Sequence, residues 1–358
     1  MKKTYKALLC GAAAVAAVGI AYAMDERFFE KAKDKLTVFK CRANSKIMEQ
    51  ALPLTDAMFP GPKVVSGADS AKKIPEVLKE LNVNKVMIVT GPTVGRTIVP
   101  PIAENLERHG IGYTIYDQVE ANPSVKTVEA IRAQYLENGC DGFLAIGGGS
   151  PMDAAKAAAA RVAKPNTPIG KMAGLMKVMI KVAPIVAVPT TSGTGSEVTM
   201  GAVISDHDER HKYAIMDPNL VPKYAVLDPK LTVSMPKFVT ATTGIDALTH
   251  AVESYVTWAY NNNASNRNAE EAVVKIFRNL KRAYEDGNDL EAREAMLIAS
   301  YKAGLAFNHT GVGYVHAIAH AMGGIYNTAH GLANAVIMPI VLEDYGTAVH
   351  PQLCLLYT

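Results

Sequence analysis

The 358-residue sequence contains few cysteines, and its acidic and basic residues nearly balance. The four cysteines are scattered and form no CxxC pair, which argues against a disulfide framework. With 37 basic and 34 acidic residues the formal net charge is +3, so the chain lacks a polybasic arm for nucleic acid and an acidic disordered tail. The slightly positive mean hydropathy excludes a disordered chain. At about 150 residues per domain, this length predicts two folded domains.

The first 24 residues form a segment apart from the rest of the chain. Three lysines precede an uncharged stretch at 7–24, which ends in the small-residue sequence AYA at 21–23 before Met24. This pattern fits a secretory signal, an uncleaved membrane anchor that contacts lipid through residues 7–24, or a gene-start artefact. All three remain open, and residues 1–24 are kept outside the fold. Because paired cysteines are absent, the catalytic domains are expected in the cytoplasm.

Short β-branched runs alternate with helical patterns up to residue 236. The predicted strands are 86–89, 113–116, 143–146, 184–188 and 224–227, with helices at 97–109, 124–137 and 153–162. This alternation predicts a doubly wound parallel α/β sheet, so residues 45–236 are interpreted as a dinucleotide-binding domain. Residues 237–358 carry helical periodicity only, which predicts an all-α second domain.

A glycine-rich segment, GGGSPMD at 147–153, follows the predicted strand 143–146. Ser150 suits the N-cap of the next helix, and Pro151 suits its first position. Glycines let the backbone approach a ligand closely, and the free N–H groups of a helix start attract an anion such as a pyrophosphate. The sequences GxGxxG and GxxxxGK[ST] are both absent, so a plain strand-to-helix turn is an equal alternative for this segment taken alone.

A second loop, PTTSGTGSE at 189–197, follows the predicted strand 184–188 and is rich in hydroxyl groups. Because the carboxyl ends of parallel strands meet at one edge of a sheet, the two loops are expected side by side, one at the phosphates and one at the rest of a cofactor. The strand at 86–89 is followed by Thr90 and Gly91 without a carboxylate, which leaves both NAD and NADP open.

Histidines and an aspartate recur at helical spacing in the second domain. Asp246 and His250 are four residues apart, as are His316 and His320, and His330 follows. Residues four apart share one face of a helix, and one carboxylate with several imidazoles suits Fe²⁺, Zn²⁺ or a similar divalent ion. An ion with an open position stabilises an alkoxide. Together with the nucleotide loops, this predicts metal-assisted hydride transfer in a cleft between the domains.

From about residue 64 to 345 the chain resembles the iron-containing (group III) alcohol dehydrogenases. The resemblance is carried by GGGSPMD, PTTSGTGSE, GIDALTHA at 244–251 and the histidines of 316–330. It implies hydride transfer between a small alcohol and NAD or NADP, an aldehyde or ketone as the other substrate, a divalent ion that is Fe²⁺ first and Zn²⁺ as the alternative, and a homo-oligomer. The implied metal ligands are Asp246, His250, His316 and His330, with His320 beside them in the substrate pocket. The implied cofactor contacts are Gly91, Asn122, Gly148, Gly149, Ser150, Asp153, Thr190, Thr191, Thr194 and Lys212.

Two departures from the family pattern stand out. Many members carry an aspartate where this chain has Gly91, and members usually continue through further helices after the segment matching 342–345, whereas this sequence ends at Thr358. The helical domain is therefore expected to be truncated. Two alternative functions remain: a lyase similar to dehydroquinate synthase, which uses NAD and a metal, and a membrane-tethered remnant that binds nucleotide without turnover.

Overall fold

The computed structural model describes residues 61–206, 211–257, 261–326 and 328–357. Its strands are β1 (Lys63–Ser66), β2 (Lys85–Val89), β3 (Gly112–Tyr116), β4 (Gly142–Gly147), β5 (Gly174–Leu175), β6 (Ile185–Pro189), β7 (Gly201–Asp206), β8 (His211–Met216) and β9 (Tyr224–Leu227). Its helices are α1 (Ile74–Glu80), α2 (Pro92–Thr97), α3 (Val99–Arg108), α4 (Val125–Glu137), α5 (Gly149–Ala163), α6 (Lys237–Val256), α7 (Asn263–Glu285), α8 (Leu290–Thr310), α9 (Tyr314–Tyr326), α10 (His330–Tyr345) and α11 (His350–Tyr357).

Six strands form one parallel sheet in the order β1-β9-β6-β4-β2-β3. The chain steps from β2 to β3 on one side, and β4 then returns to the other side of β2. This reversal is the topological switch point of a doubly wound sheet, where ligands bind beyond the carboxyl ends of the strands. The predicted α/β fold class is confirmed.

The central strands β2, β4, β6 and β9 are buried on both faces because, apart from Lys85 at the start of β2, they carry no charged side chain and are almost entirely apolar. On β2, Val86 and Ile88 pack against α1 and α3, whereas Met87 and Val89 pack against α4 and α5. Strands covered by helices on both faces lose the polar alternation of a half-exposed strand. The continuous apolar runs that predicted these strands therefore reflect two separate hydrophobic layers.

Two helix boundaries differ from the sequence-based expectation. The expected helix 97–109 corresponds to α3, which begins two residues later because Pro100 and Pro101 suit a helix start but cannot continue α2; α2 itself precedes the expected helix and was not predicted. The N-cap of α5 is Gly148, not Ser150, since Gly147 has a φ of 149° and turns the chain earlier. Ser150 lies inside the first turn instead.

A second, mixed sheet of three strands, in the order β5-β8-β7, was not predicted from the sequence. It is attached to the main body through β7, which packs beside α5 and carries buried Ala202 and Ile204. The loop that leads from β6 into β7 contains the hydroxyl-rich segment 189–197. This small sheet consequently anchors one end of a predicted cofactor loop.

After residue 236 the described chain is helical, with α6, α7 and α8 packed together through small side chains. Their shared core includes Ala247, Ala251, Ala272, Ala299 and Ala303, all with essentially no solvent exposure. Alanine at these contacts lets the helix axes approach closely. Among the described residues, no helix has both the length and the apolar character needed to cross a bilayer. The stretch 7–24 lies outside them.

We predict that Gly147→Ala destabilises the protein. Its φ of 149° is unfavourable for alanine, and a Cβ there would lie 2.7 Å from Pro151 Cγ. A side chain in such a backbone conformation costs about 1–3 kcal/mol, which urea unfolding would measure. Gly201→Ala is the control, because a Cβ at Gly201 meets nothing within 4 Å. Equal stability of the two variants would contradict the strain at Gly147.

Candidate metal centre and cofactor loops

The two predicted cofactor loops lie side by side at the carboxyl ends of β4 and β6. Gly147 is paired in register with Pro189, and Thr190 N donates to Gly147 O at 2.8 Å. A Cβ added to Gly148 would lie 3.2 Å from Thr191 Oγ1. A Cβ added to Gly149 would lie 3.0 Å from Thr194 Cγ2. The glycines therefore let the threonine side chains of the second loop pack closely against the start of α5. This surface of glycine backbone and hydroxyl groups is called the cradle below.

The remaining predicted cofactor residues are distributed around this cradle. Asn122, in a left-handed conformation with a φ of 59°, donates its backbone N–H to Ser150 Oγ at 3.2 Å. Gly91, at the N-cap of α2, packs against Val119, whose carbonyl oxygen would lie 3.1 Å from an added Cβ. Lys212, on β8, extends its side chain toward α9, where a Cβ added to Gly323 would lie 3.3 Å from Lys212 Nζ. Burial lowers the pKa of Lys212.

Asp153 is the predicted cofactor residue whose contacts differ most from the expectation. One carboxylate oxygen accepts a hydrogen bond from Ser196 Oγ at 2.8 Å, and the other accepts one from Val203 N at 3.0 Å. Both oxygens are thus engaged by the protein. Asp153 therefore contacts the loop that follows β6 and the strand β7.

The predicted metal ligands converge from three helices. Asp246 and His250 lie on α6, His316 and His320 on α9, and His330 at the start of α10. One ligand atom from each of Asp246, His250 and His316 falls within 4.8 Å of the others. His330 Nε2 lies 3.3 Å from Asp246 Oδ1, and the His320 and His330 ring centroids are 4.8 Å apart. The spacing seen in the sequence therefore corresponds to one cluster.

The cluster is buried on one side and open on the other. The side chains of Asp246 and His316 are 4% and 1% exposed, whereas His330 is 36% exposed. Burial opposes the charge on Asp246, but the imidazoles of His250, His330 and His316 outweigh it and lower its pKa. A carboxylate with three imidazoles is the donor set that suits Fe²⁺ or Zn²⁺, and the absence of thiolates favours an open site.

Burial sets the pKa values of the surrounding imidazoles. It lowers the pKa of His250 to about 3 and that of His320 to about 4, and neighbouring imidazoles add to both shifts. It also lowers the pKa of His330. His316 behaves oppositely: hydrogen bonds to Asp246 and Glu253 outweigh burial and raise its pKa to about 9.

The sequence and the fold are similar to those of known proteins of one family. The family description "Iron-containing alcohol dehydrogenase" matches residues 61–229, and "Fe-containing alcohol dehydrogenase family, C-terminal" matches residues 240–353. The chain is 37% identical to Alcohol dehydrogenase 4 of Saccharomyces cerevisiae over 77% of this chain and 72% of that protein.

The NAD-dependent methanol dehydrogenase of Bacillus methanolicus is also 37% identical, over 80% of this chain and 75% of that protein. The crystal structure of a 1,3-propanediol oxidoreductase superposes with a TM-score of 0.78 at 35% identity, covering 82% of this chain and 76% of that one. The chain belongs to the iron-containing alcohol dehydrogenases. It is therefore an NAD(P)-dependent metal oxidoreductase with alcohol and aldehyde substrates.

One residue of this alcohol dehydrogenase site, Glu253, was missed in the sequence. It is 1% exposed on α6, one turn after His250, and its Oε2 accepts from His316 Nδ1 at 2.6 Å. Its Oε1 accepts from Val315 N at 2.7 Å, and a Cβ on Gly313 would lie 2.6 Å from that oxygen. The carboxylate thus orients the His316 ring and directs Nε2 toward the cluster, a role that carboxylates often have beside metal-bound histidines.

Asn334 is a second residue that the sequence did not single out. It is fully buried on α10, one turn after His330, and its Nδ2 donates to Asp246 Oδ1 at 2.7 Å. The same nitrogen lies 3.3 Å from His316 Nε2 and 3.4 Å from His330 Nε2. The i,i+4 spacing of His330 and Asn334 was the available signal, and it marks the inward face of α10.

We predict that Glu253→Gln weakens divalent-ion binding by about 10–100-fold, because the amide no longer fixes the His316 ring through a charged acceptor. Competition with a coloured chelator measures the dissociation constant directly. The exposed Glu343→Gln on α10 is the matched control and should bind the ion as the unchanged protein does. An unaltered dissociation constant in Glu253→Gln would show that the contact does not support the site.

Proposed function

We propose that this enzyme interconverts a small primary or secondary alcohol with its aldehyde or ketone, using NAD as the hydride acceptor. The observation that carries the proposal is the cluster of Asp246 and three histidines, closed on the α6 side and half exposed at His330. Alcohol oxidation requires an open, positively charged position for the developing alkoxide. A buried carboxylate and three imidazoles at an open mouth would hold a divalent ion that supplies this charge.

Asp246, His250, His316 and His330 would hold a divalent ion, with Fe²⁺ as the ion of this family. When bound, the ion supplies Lewis-acid polarisation of the substrate oxygen. The donor set fits this role, since its ligand atoms converge and the ring of His316 is already oriented by Glu253. Asn334 would hold the Asp246 carboxylate in place through its 2.7 Å hydrogen bond.

The cradle at the start of α5 would bind the cofactor. Gly148, Gly149 and the N–H groups of the first turn of α5 suit the pyrophosphate, with Ser150 and Asn122 beside them. Thr190, Thr191 and Thr194 extend the hydroxyl surface toward the metal cluster. This direction is supported by Gly193, where an added Cβ would lie 2.7 Å from Thr243 O on α6, the helix that carries Asp246 and His250. Lys212 would contribute a positive charge at the same end, and Gly91 leaves the ribose side without a carboxylate.

His320 would accept or return the hydroxyl proton of the substrate. Burial lowers its pKa to about 4, and repulsion from His330, His316 and Lys212 adds to the shift. The imidazole is therefore neutral at pH 7, with one ring nitrogen free to accept a proton. The centroid of the His320 ring lies 6.3 Å from that of His316 and 4.8 Å from that of His330, and the His330 side chain is 36% exposed. A proton accepted by His320 would therefore have a short route to solvent past His330.

The finer assignments follow the related proteins. Methanol and 1,3-propanediol, after which two of the related proteins are named, favour a small, primary alcohol. We also propose residues 45–236 as the cofactor domain and 237–358 as the metal domain, with the reaction in the cleft between them. A cytoplasmic location, a homo-oligomeric assembly and membrane contact through residues 7–24 remain predictions.

We predict that Asp246→Ala combined with His250→Ala abolishes both bound metal and turnover, because two of the four donors are lost. Metal content by plasma emission spectrometry and absorbance of the reduced nicotinamide with short alcohols are the measurements. His109→Ala, at an exposed histidine far from the cluster in sequence, should retain both. Full activity in a metal-free double variant would overturn the proposal, as would phosphate release from a sugar-phosphate acid without net cofactor reduction.

We predict that His320→Asn lowers kcat by about 100-fold while the metal content stays unchanged, since general acid–base groups typically contribute 10²–10⁴-fold. Steady-state kinetics with a saturating alcohol and metal analysis of the same sample check both parts. Loss of the metal in this variant would instead assign His320 to the ligand set. An unchanged kcat would exclude it from proton transfer.

A further inference from the structure

The loop that leads into β6, residues 176–182, holds two neighbouring apolar side chains in solvent. Met179 is 60% exposed and Ile180 is 45% exposed, although Val178 and Val182 on either side of them are buried in the core of the α/β domain. A single exposed apolar side chain is ordinary. Two adjacent ones, turned outward between two buried valines, indicate a contact surface.

Hydrogen bonds fix this loop in its outward-facing shape. The fully buried carboxylate of Asp217 accepts from Val178 N at 3.0 Å and from Met179 N at 2.8 Å. The Met176 N–H donates to Met216 O at 2.7 Å, which ties the start of the loop to the end of β8. The exposure of Met179 and Ile180 is therefore set by the fold of the loop.

The loop also maintains two unfavourable backbone conformations. Met176 has a φ of 54° and Met179 a φ of 48°, both in the left-handed region that non-glycine residues rarely adopt. Such conformations persist only where the surrounding contacts impose them, and they concentrate at binding sites. Here the imposed conformation is the one that turns the apolar pair toward solvent.

The charges around the apolar pair are all positive in the sequence. Exposed Lys177 and Lys181 flank it, and exposed Lys171 lies shortly before it. The whole stretch 154–196 contains six lysine or arginine residues and no aspartate or glutamate. Lysine side chains can lie along an apolar surface and place their ammonium groups against phosphates, which suits the interface of an anionic bilayer. The core of a protein–protein interface, by contrast, is depleted in lysine.

The loop lies on the opposite edge of the main sheet from the cradle. Residues 176–182 precede β6, whereas the hydroxyl-rich loop at 189–197 follows it. The five residues of β6, at about 3.3 Å each, separate the two edges by about 16 Å. A flat surface that contacts the 176–182 loop would therefore leave the cradle facing away from it.

We propose that the 176–182 loop docks on an anionic phospholipid bilayer. Met179 and Ile180 enter the headgroup region, and Lys171, Lys177 and Lys181 contact the lipid phosphates. This docking surface is separate from residues 7–24, and it depends on neither the metal cluster nor the cofactor loops.

Sedimentation of the full chain with vesicles tests the electrostatic part. Lys177→Glu combined with Lys181→Glu reverses two charges beside the apolar pair, so binding to equimolar phosphatidylglycerol and phosphatidylcholine should weaken about tenfold. Lys73→Glu combined with Lys281→Glu makes the same charge change at exposed lysines before α1 and on α7. This matched control should bind within about twofold of the unchanged chain, because surface charge acts only within a Debye length.

Tryptophan fluorescence tests which residues enter the lipid. In Ile180→Trp we expect blue-shifted emission on the same vesicles, and strong quenching when the phosphatidylcholine carries bromine on its acyl chains. The native tryptophan, Trp258, sets the background in the unchanged protein. Phe277→Trp, at an apolar side chain on α7 that is 70% exposed, is the matched control and should show quenching at the background level.

Quenching of Ile180→Trp at the background level overturns the inference, as does unaltered vesicle binding by the double lysine variant. Either result assigns any vesicle binding to another part of the chain. Absence of vesicle binding by the unchanged chain, with self-association that Ile180→Gln abolishes, would make the loop an interface between copies and also overturn lipid docking. If the double lysine variant does not fold, Ile180→Trp decides. None of these measurements requires turnover, so they leave the proposed function to its own tests.

Discussion

The buried negative charge of Asp246 is the constraint on which the helical half of the molecule depends. A carboxylate removed from water costs several kcal/mol unless charges and hydrogen bonds compensate it. Imidazoles from α6, α9 and α10 and the amide of Asn334 surround it, so the three helices are fixed about one point. A divalent ion would use the same donor atoms. The contacts that stabilise the helical half are therefore also those that prepare the metal site.

The sequence predicted five of the six strands of the main sheet because they are short, mostly apolar runs bounded by glycine or polar residues. The edge strand β1 was not predicted, since only two of its four residues are apolar. The smaller sheet gave no comparable signal. Its strand β5 has only two residues, and β8 begins with His211 and Lys212, so neither an apolar run nor a regular alternation was present. Its strands form because α5 and the loop after β6 provide a buried surface for β7, which is a tertiary effect rather than a local preference.

The metal cluster was predictable for a related reason: i,i+4 spacing places Asp246 and His250, and later His316 and His320, on single helix faces. Glu253 offered no such signal, because a glutamate in a helix is ordinary until Gly313 admits its carboxylate beside Val315 and His316. Asp153 was expected to contact the cofactor because the resemblance to the family implied it. Its partners lie 43 and 50 residues away, a separation that local spacing does not reveal.

The loop after β6 joins the α/β part of the chain to the helical part. Two of its glycines lie so close to α6 and α8 that no side chain would fit at their positions. A Cβ on Gly193 would lie 2.7 Å from Thr243 O on α6, and one on Gly195 would lie 2.7 Å from Gly304 Cα on α8. The same loop is attached to α5 through Ser196. Hydride transfer requires reacting atoms about 3–3.5 Å apart, and a displacement of about 1 Å costs roughly 100-fold in rate. Because this one loop contacts the cradle, the small sheet and the helix that carries Asp246 and His250, it sets the separation between the proposed cofactor and metal sites more directly than the main sheet does.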